Sequence, residues 1–102
     1  MSFTATLTTA GRTAVIALTG ALDADGDAAF REKVDRAAGL DVAELVLDMS
    51  ALTQLSAAGI RAVAYARQRM ADDVQVVVAS PSPQIRESLR DADFDDSVAI
   101  RD

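Results

Sequence analysis

Apolar and polar residues alternate at the start of the chain, with Phe3, Ala5 and Leu7 on one face and Thr4, Thr6 and Thr8 on the other. A period of two with threonines on the second face predicts a half-solvated strand at a sheet edge. Ala10-Gly11-Arg12 is a tight turn,. Thr13–Thr19 follows as a second strand, with Val15, Ile16 and Leu18 as apolar members. So short a connection makes the two strands an antiparallel hairpin. Gly20-Ala21-Leu22-Asp23 ends the second strand. The period then changes: Ala29, Phe30, Val34 and Ala37 recur at helical spacing up to about Ala38,. Asp23, Asp25 or Asp27 can cap that helix, where carboxylates suit its positive end, and Gly39 suits its C-terminus,.

Leu45–Met49 reads as the third strand, and its continuous run Leu45-Val46-Leu47 is the pattern of a strand covered on both faces,. A short turn leads to Ser56, a natural N-cap for a helix reaching about Ala71,. Ile60, Val63, Ala64 and either Tyr65 or Met70 face inward, while Arg61, Arg67, Gln68 and Arg69 face solvent. Asp72-Asp73 is a turn, and Val74–Ala79 is a fourth strand with a buried Val76-Val77-Val78 run,. In Ser80-Pro81-Ser82-Pro83, Ser82 is an N-cap and Pro83 the first helical residue of a short helix to about Asp91 that buries Ile85 and Leu89,. Phe94 completes the core together with Val98-Ala99-Ile100, a short last strand. The order β-β-α-β-α-β-α-β, joined by right-handed crossovers, predicts a single α/β domain over residues 1–102. Its mixed sheet has four to five strands, an antiparallel N-terminal hairpin and a mostly parallel remainder, with three to four helices,.

A length of 102 residues fits one domain with one modest core,. Ten basic and sixteen acidic residues leave a net charge of −6, which argues against nucleic-acid and anionic-membrane partners,. The chain has no Cys and no His, which removes thiol nucleophiles, imidazole acid–base chemistry and Cys/His metal centres,. The expectation is therefore a protein that is not an enzyme and needs no cofactor. Asp23, Asp25 and Asp27 only superficially resemble a calcium loop, since the bidentate Glu further on is missing,. The N-terminal residues have neither a basic nor an apolar leader pattern, and no stretch approaches a membrane span, so the expected location is cytoplasmic,.

Three segments in this order resemble the STAS family, the domain of bacterial anti-sigma factor antagonists. Gly20-Ala21-Leu22-Asp23 is similar to the family's Gly-x-Leu-Asp, and Leu45-Val46-Leu47-Asp48-Met49-Ser50 to its Leu-Val-Leu-Asp-Leu-Ser. Leu55 through Ile60 falls where the family carries Asp-Ser-Ser-Gly-Leu. The resemblance covers essentially the whole chain. It implies binding to an anti-sigma factor, often one that is also a serine kinase with a histidine-kinase-like ATPase fold. It further implies a switch in which phosphorylation of the first Ser of Asp-Ser-Ser-Gly adds about −1.5 to −2 charge and releases the partner. Ser56 stands at the family's Asp, Ala57 at its phosphorylated Ser, Ala58 at its second Ser and Gly59 at its Gly. Ala57 has no hydroxyl, so the standard phosphoswitch cannot operate there.

The residues that the resemblance and the local pattern single out for partner binding are Asp23, Ser56, Ala57, Ala58, Gly59, Arg61 and Tyr65. For Ser56, helix capping is the stronger reading and a relocated phosphoacceptor the weaker; Thr53 is an equally weak acceptor. Asp23 fits both a partner surface and a helix start. Asp48, at the end of a strand, fits a structural acceptor for loop amides. Arg61, Tyr65 and Gln68 share one helical stripe at i, i+4 and i+7, a solvated face unless a partner covers it,. The leading expectation is a constitutive, transcription-regulating interaction module without a phosphoswitch. Two others remain: a STAS scaffold subunit that associates with itself or other STAS proteins through the edge strand Phe3–Thr8, and a small-ligand binder or an enzyme using carboxylates or Ser alone.

Overall fold

A computed structural model describes residues 3–92 and 98–101 of the chain. These residues form β1 (Phe3–Ala10), β2 (Thr13–Leu22), α1 (Asp27–Ala38), β3 (Glu44–Leu55), α2 (Ala57–Arg69), β4 (Gln75–Ala79), α3 (Pro83–Asp91) and β5 (Ala99–Arg101). The element order is the one the hydrophobic pattern predicts. Phe94 lies outside the described residues.

Gly11 sits at φ 61°, a conformation open to glycine without strain, and so closes the two-residue turn between Ala10 and Thr13,. β1 consequently runs antiparallel to β2, whereas β2, β3, β4 and β5 are mutually parallel, in the spatial order β1-β2-β3-β4-β5. Strand order follows chain order, so each right-handed crossover steps the same way across the sheet and lays its helix on the same face,. The burial pattern agrees. Ile16, Leu18, Leu45, Leu47, Met49, Val76 and Val78 form one core with Phe30 and Val34 of α1, Ala62, Val63 and Ala66 of α2, and Ile85 and Leu89 of α3.

One-sided coverage corrects the expectation for Leu45-Val46-Leu47. Leu45 and Leu47 point to the helices, but Val46 shares the uncovered face with Val15 and Asp48 and is only half-buried. On that face only Val77 of the parallel strands' central valines is fully buried, and it stands outside the main core. The Arg101–Glu44 ion pair, at 3.2 Å, bridges β5 to β3 across β4, the strand that carries Val77.

Both β2 and β3 run further than their patterns suggest. β2 passes through Gly20, at φ 93°, to Leu22, and β3 continues beyond Met49 to Leu55, where a turn was expected. Register shifts between Ala17 and Thr19 and again between Gly20 and Ala21 let the two extensions stay paired,. The extensions place the C-terminal end of β3 beside the end of β2, and α2 starts from that ledge.

α1 also starts differently from expectation. Its N-cap is Gly26, with no side-chain cap, because Asp23 Oδ1 already accepts from the amides of Asp25 (3.0 Å) and Gly26 (3.3 Å). A side chain at position 26 would collide with Phe3, whose ring comes within 2.8 Å of the place a Cβ would take. Ala29, expected inside, is exposed, while Phe30, Val34 and Ala37 are buried. Gly39 caps the C-terminus in a right-handed conformation, φ −82°, rather than the left-handed one glycine favours there,.

Candidate functional site

The chain end of β3 and the first turn of α2 carry the segment that the sequence singled out. Ser56 is the N-cap, and its hydroxyl does two jobs. It accepts from the Gly59 amide at 3.3 Å and donates to the Leu22 carbonyl at 3.3 Å. The Ser56 amide also donates to the Leu22 carbonyl, at 3.1 Å. Thr53 Oγ1 donates to the Gly20 carbonyl at 2.9 Å. The start of α2 is thereby fastened to the end of β2 by side-chain and backbone bonds.

Gly59 is buried at this junction. A Cβ there would lie 2.5 Å from the Leu22 carbonyl oxygen and 2.6 Å from Leu55 Cδ1. Glycine is required by close approach, not by an unusual φ. Ala57 in the same turn is exposed, whereas Ala58 and Ser56 are half-buried. The outward side chain of the first turn is therefore a single methyl group, with no acidic residue in that turn.

Two hollows flank this turn. One, of about 210 Å³, lies between Thr53, Gln54, Leu55 and Ser56 on one side and Gln84, Ile85 and Ser88 of α3 on the other. Its walls carry hydroxyls, amides and aliphatic groups but no charge. The other, of about 140 Å³, lies between the start of α1 and α2 and is lined by Ala24, Asp27, Arg31, Ala58 and Arg61. Asp27 and Arg31 form an i,i+4 ion pair at 2.8 Å. Arg61 is exposed and, among the described residues, makes no ion pair or hydrogen bond. A cation this near a helix N-terminus is unfavourably placed with respect to the helix dipole.

The expected stripe of Arg61, Tyr65 and Gln68 is divided by the fold. Tyr65 is half-buried against α1: the Arg31 guanidinium lies 4.5 Å from its ring centroid, and its hydroxyl donates to Asp35. Asp35 also accepts from Arg69 at 3.2 Å. The hydrogen bond to Asp35, then partial burial and the Asp35 charge, raise the Tyr65 pKa above its usual 10.0, with Arg69 opposing. Gln68 remains exposed. Arg67, expected in solvent, folds back and donates to the carbonyls of Val74 and Ala71, each at 2.8 Å, closing the α2–β4 connection. α2 stops at Arg69, with Met70 buried as its C-cap.

Asp23 is half-buried at the end of β2, committed to the turn before α1. Asp48 lies inside β3 rather than at the strand end expected for it, and accepts from the Ser50 amide at 3.0 Å where the β2–β3 register shifts. Among the described residues, no three Asp or Glu side chains converge to hold a metal ion. Ser56, Ala57, Ala58, Gly59 and Arg61 thus share one ledge, and Tyr65 belongs to the α1–α2 seam. The sequence reading missed the α3 wall of Gln84 and Ser88. These residues are 28 and 32 positions from Ser56, and nothing in their local pattern reports the approach.

The protein class that emerges is a five-stranded mixed sheet with one helix-covered face and an exposed helix start at the end of its third strand. The sequence matches the STAS domain family over residues 4–102, so the chain belongs to that family. No curated protein matches it by sequence. Among solved structures it resembles an anti-sigma factor antagonist from Mycobacterium paratuberculosis, with a TM-score of 0.90 and 18% identity over 98% of this chain and 86% of that one. It also resembles the anti-sigma factor antagonist SpoIIAA in its unphosphorylated form, with a TM-score of 0.76 and 23% identity over 96% of this chain and 87% of the other. The Bacillus cell fate determinant SpoIIAA in its phosphorylated form gives 0.73 and 21% over 94% and 89%. At such identities these likenesses are likenesses of fold. No helix among the described residues is long and apolar enough to cross a membrane.

Proposed function

We propose that this protein is a non-catalytic binding module of the anti-sigma factor antagonist type, acting in the cytoplasm on an anti-sigma factor or a histidine-kinase-like serine kinase. The observation that carries the proposal is the exposed methyl of Ala57 on the first turn of α2, at the position where the family resemblance puts the phosphoacceptor. Binding at this turn is continuous, because Ala57 offers no oxygen to a kinase. Ser56 does not replace it: its hydroxyl is held between the Gly59 amide and the Leu22 carbonyl. A transferred phosphoryl group would replace the hydroxyl hydrogen and so end the bond that Ser56 donates to the Leu22 carbonyl. The absence of Cys and His and the uncharged walls of the adjacent hollow support binding rather than catalysis,. A partner that buries Ala57 also covers Arg61 one turn further on, whose guanidinium has no ion-pair partner among the described residues and matches an acidic side chain,.

The test is a binding titration of the purified chain against such a kinase, followed by the same titration with Ala57→Ser in the presence of ATP. The unaltered chain is expected to bind with or without ATP. Ala57→Ser is expected to bind without ATP, to incorporate phosphate, and then to dissociate. A variant that binds the kinase but takes up no phosphate would contradict the assignment of position 57. Failure of every tested member of this kinase class to bind would contradict the partner class.

A further inference from the structure

The two edges of the sheet are built differently. β5 is three residues long and ends on Arg101, which is ion-paired to Glu44. β1 is eight residues long, contains no charged residue and no proline, and pairs residue by residue with Thr13–Gly20 without a register shift. Among the described residues nothing pairs with its outer edge. Short length, Lys, Pro and bulges are the devices that keep a sheet edge from joining another strand, and β1 has none of them. Its composition of Thr, Leu and Phe favours an extended chain,.

We propose that β1 is a self-association edge, pairing antiparallel with β1 of a second copy of this chain about a two-fold axis at Thr6. Over Thr4–Thr8 the sequence is self-complementary in that register, with Phe3 opposite Thr9 beyond it. Thr4 lies opposite Thr8 and Thr6 opposite itself on the uncovered face, while Ala5 lies opposite Leu7 on the helix side. Directly opposed threonines are a favourable cross-strand pair, and the small Ala5 accommodates the larger Leu7. A slip by one residue would set threonines against Leu7 and Ala5 and turn the second sheet over. Each copy carries a net charge of −6, so an interface between copies must avoid the acidic surface, and β1 is uncharged. A seam of one strand against one strand buries less than the roughly 1,200 Å² of a stable complex, so the dimer is weak and forms with rising concentration. The contact is independent of partner recognition at α2.

Cysteine cross-linking tests the register directly, because the chain has no Cys of its own. Antiparallel partners sit about 4.5–5.5 Å apart between Cα atoms, within the span of a disulfide. Thr6→Cys is expected to form a disulfide dimer under mild oxidation at least about tenfold faster than Thr19→Cys, a rate ratio equivalent to 1.4 kcal/mol. Thr19 is exposed on the same sheet face but one strand further in, opposite Thr4. Sedimentation of the unmodified chain is expected to show a mass rising toward that of a dimer, and Thr6→Lys is expected to remain a monomer. Equal cross-linking rates, a monomer up to millimolar concentration, or an unchanged rise in Thr6→Lys would each overturn the proposal.

Discussion

At the scale of single residues, one hydroxyl and one phenol illustrate how side chains are committed. Ser56 spends both its donor and its acceptor on the junction of β2 and α2. Ser56→Ala removes the cap and is expected to lower stability by about 1 kcal/mol in denaturant unfolding. Tyr65 is the only tyrosine in the chain, so tyrosinate absorbance reports it alone. Its folded pKa is raised above 10.0, first by the hydrogen bond to Asp35. A raised folded pKa means that the protonated phenol stabilises the fold at all pH values below the unfolded pKa, and that this contribution is lost as pH climbs through the higher folded value. The absorbance midpoint is expected above pH 10 in the native protein and at about 10 in denaturant. Asp35→Asn is expected to bring the native midpoint down, and a native midpoint at or below the denatured one would refute the assigned bond.

At the scale of elements, α2 is positioned by contact at its N-terminus and by packing along its length. Its buried face is made of small residues, Gly59, Ala62 and Ala66, with Val63, which lets the helix lie close to the sheet. Gly59→Ala puts a methyl carbon into the space of the Leu22 carbonyl, a rigid backbone atom, and of Leu55. In a helix interior that substitution would ordinarily stabilise by roughly 0.5–1 kcal/mol through propensity. Here overpacking reverses the sign, and a net loss of about 1–3 kcal/mol is expected in thermal or denaturant unfolding. A gain in stability would show that α2 can retreat from the ledge freely. The position aligned with the family's Gly is thus explained by van der Waals contact with β2, while the neighbouring positions 57 and 58 are free of that constraint.

At the scale of the whole molecule, sequential strand order sends α1, α2 and α3 to one face and leaves the other to threonines, valines and the Arg101–Glu44 ion pair. The site and the proposed dimer seam occupy different parts of this architecture, the first at the C-terminal end of β3 and the second along the outer edge of β1. The net charge of −6 acts on any contact between copies as a repulsion that salt screens,. Raising the salt concentration from about 0.01 M to 0.15 M, which shortens the Debye length from about 30 to 8 Å, is therefore expected to strengthen self-association in sedimentation. Weaker association at higher salt would point to an ion-paired interface instead.

Hydrophobic period determined the element order, because a switch from a repeat of two to a repeat near 3.6 is written locally in residues such as Phe3-Ala5-Leu7 and Phe30-Val34-Ala37,. The Ser56 and Ser82 caps were legible for the same reason, since a cap involves residues three apart. The tertiary structure alone decided what depended on distant segments. The extension of β3 to Leu55 came from pairing with β2 beyond Gly20, and the ring of Phe3 leaves no room for a side chain at the N-cap Gly26. The requirement for Gly59 was set by a carbonyl thirty-seven residues earlier, and the commitment of Tyr65 to Asp35 by the packing of α1 on α2. Backbone oxygens and long-range neighbours leave no periodic trace in a sequence, so the ledge that presents Ala57 becomes visible only when the strands that build it are side by side.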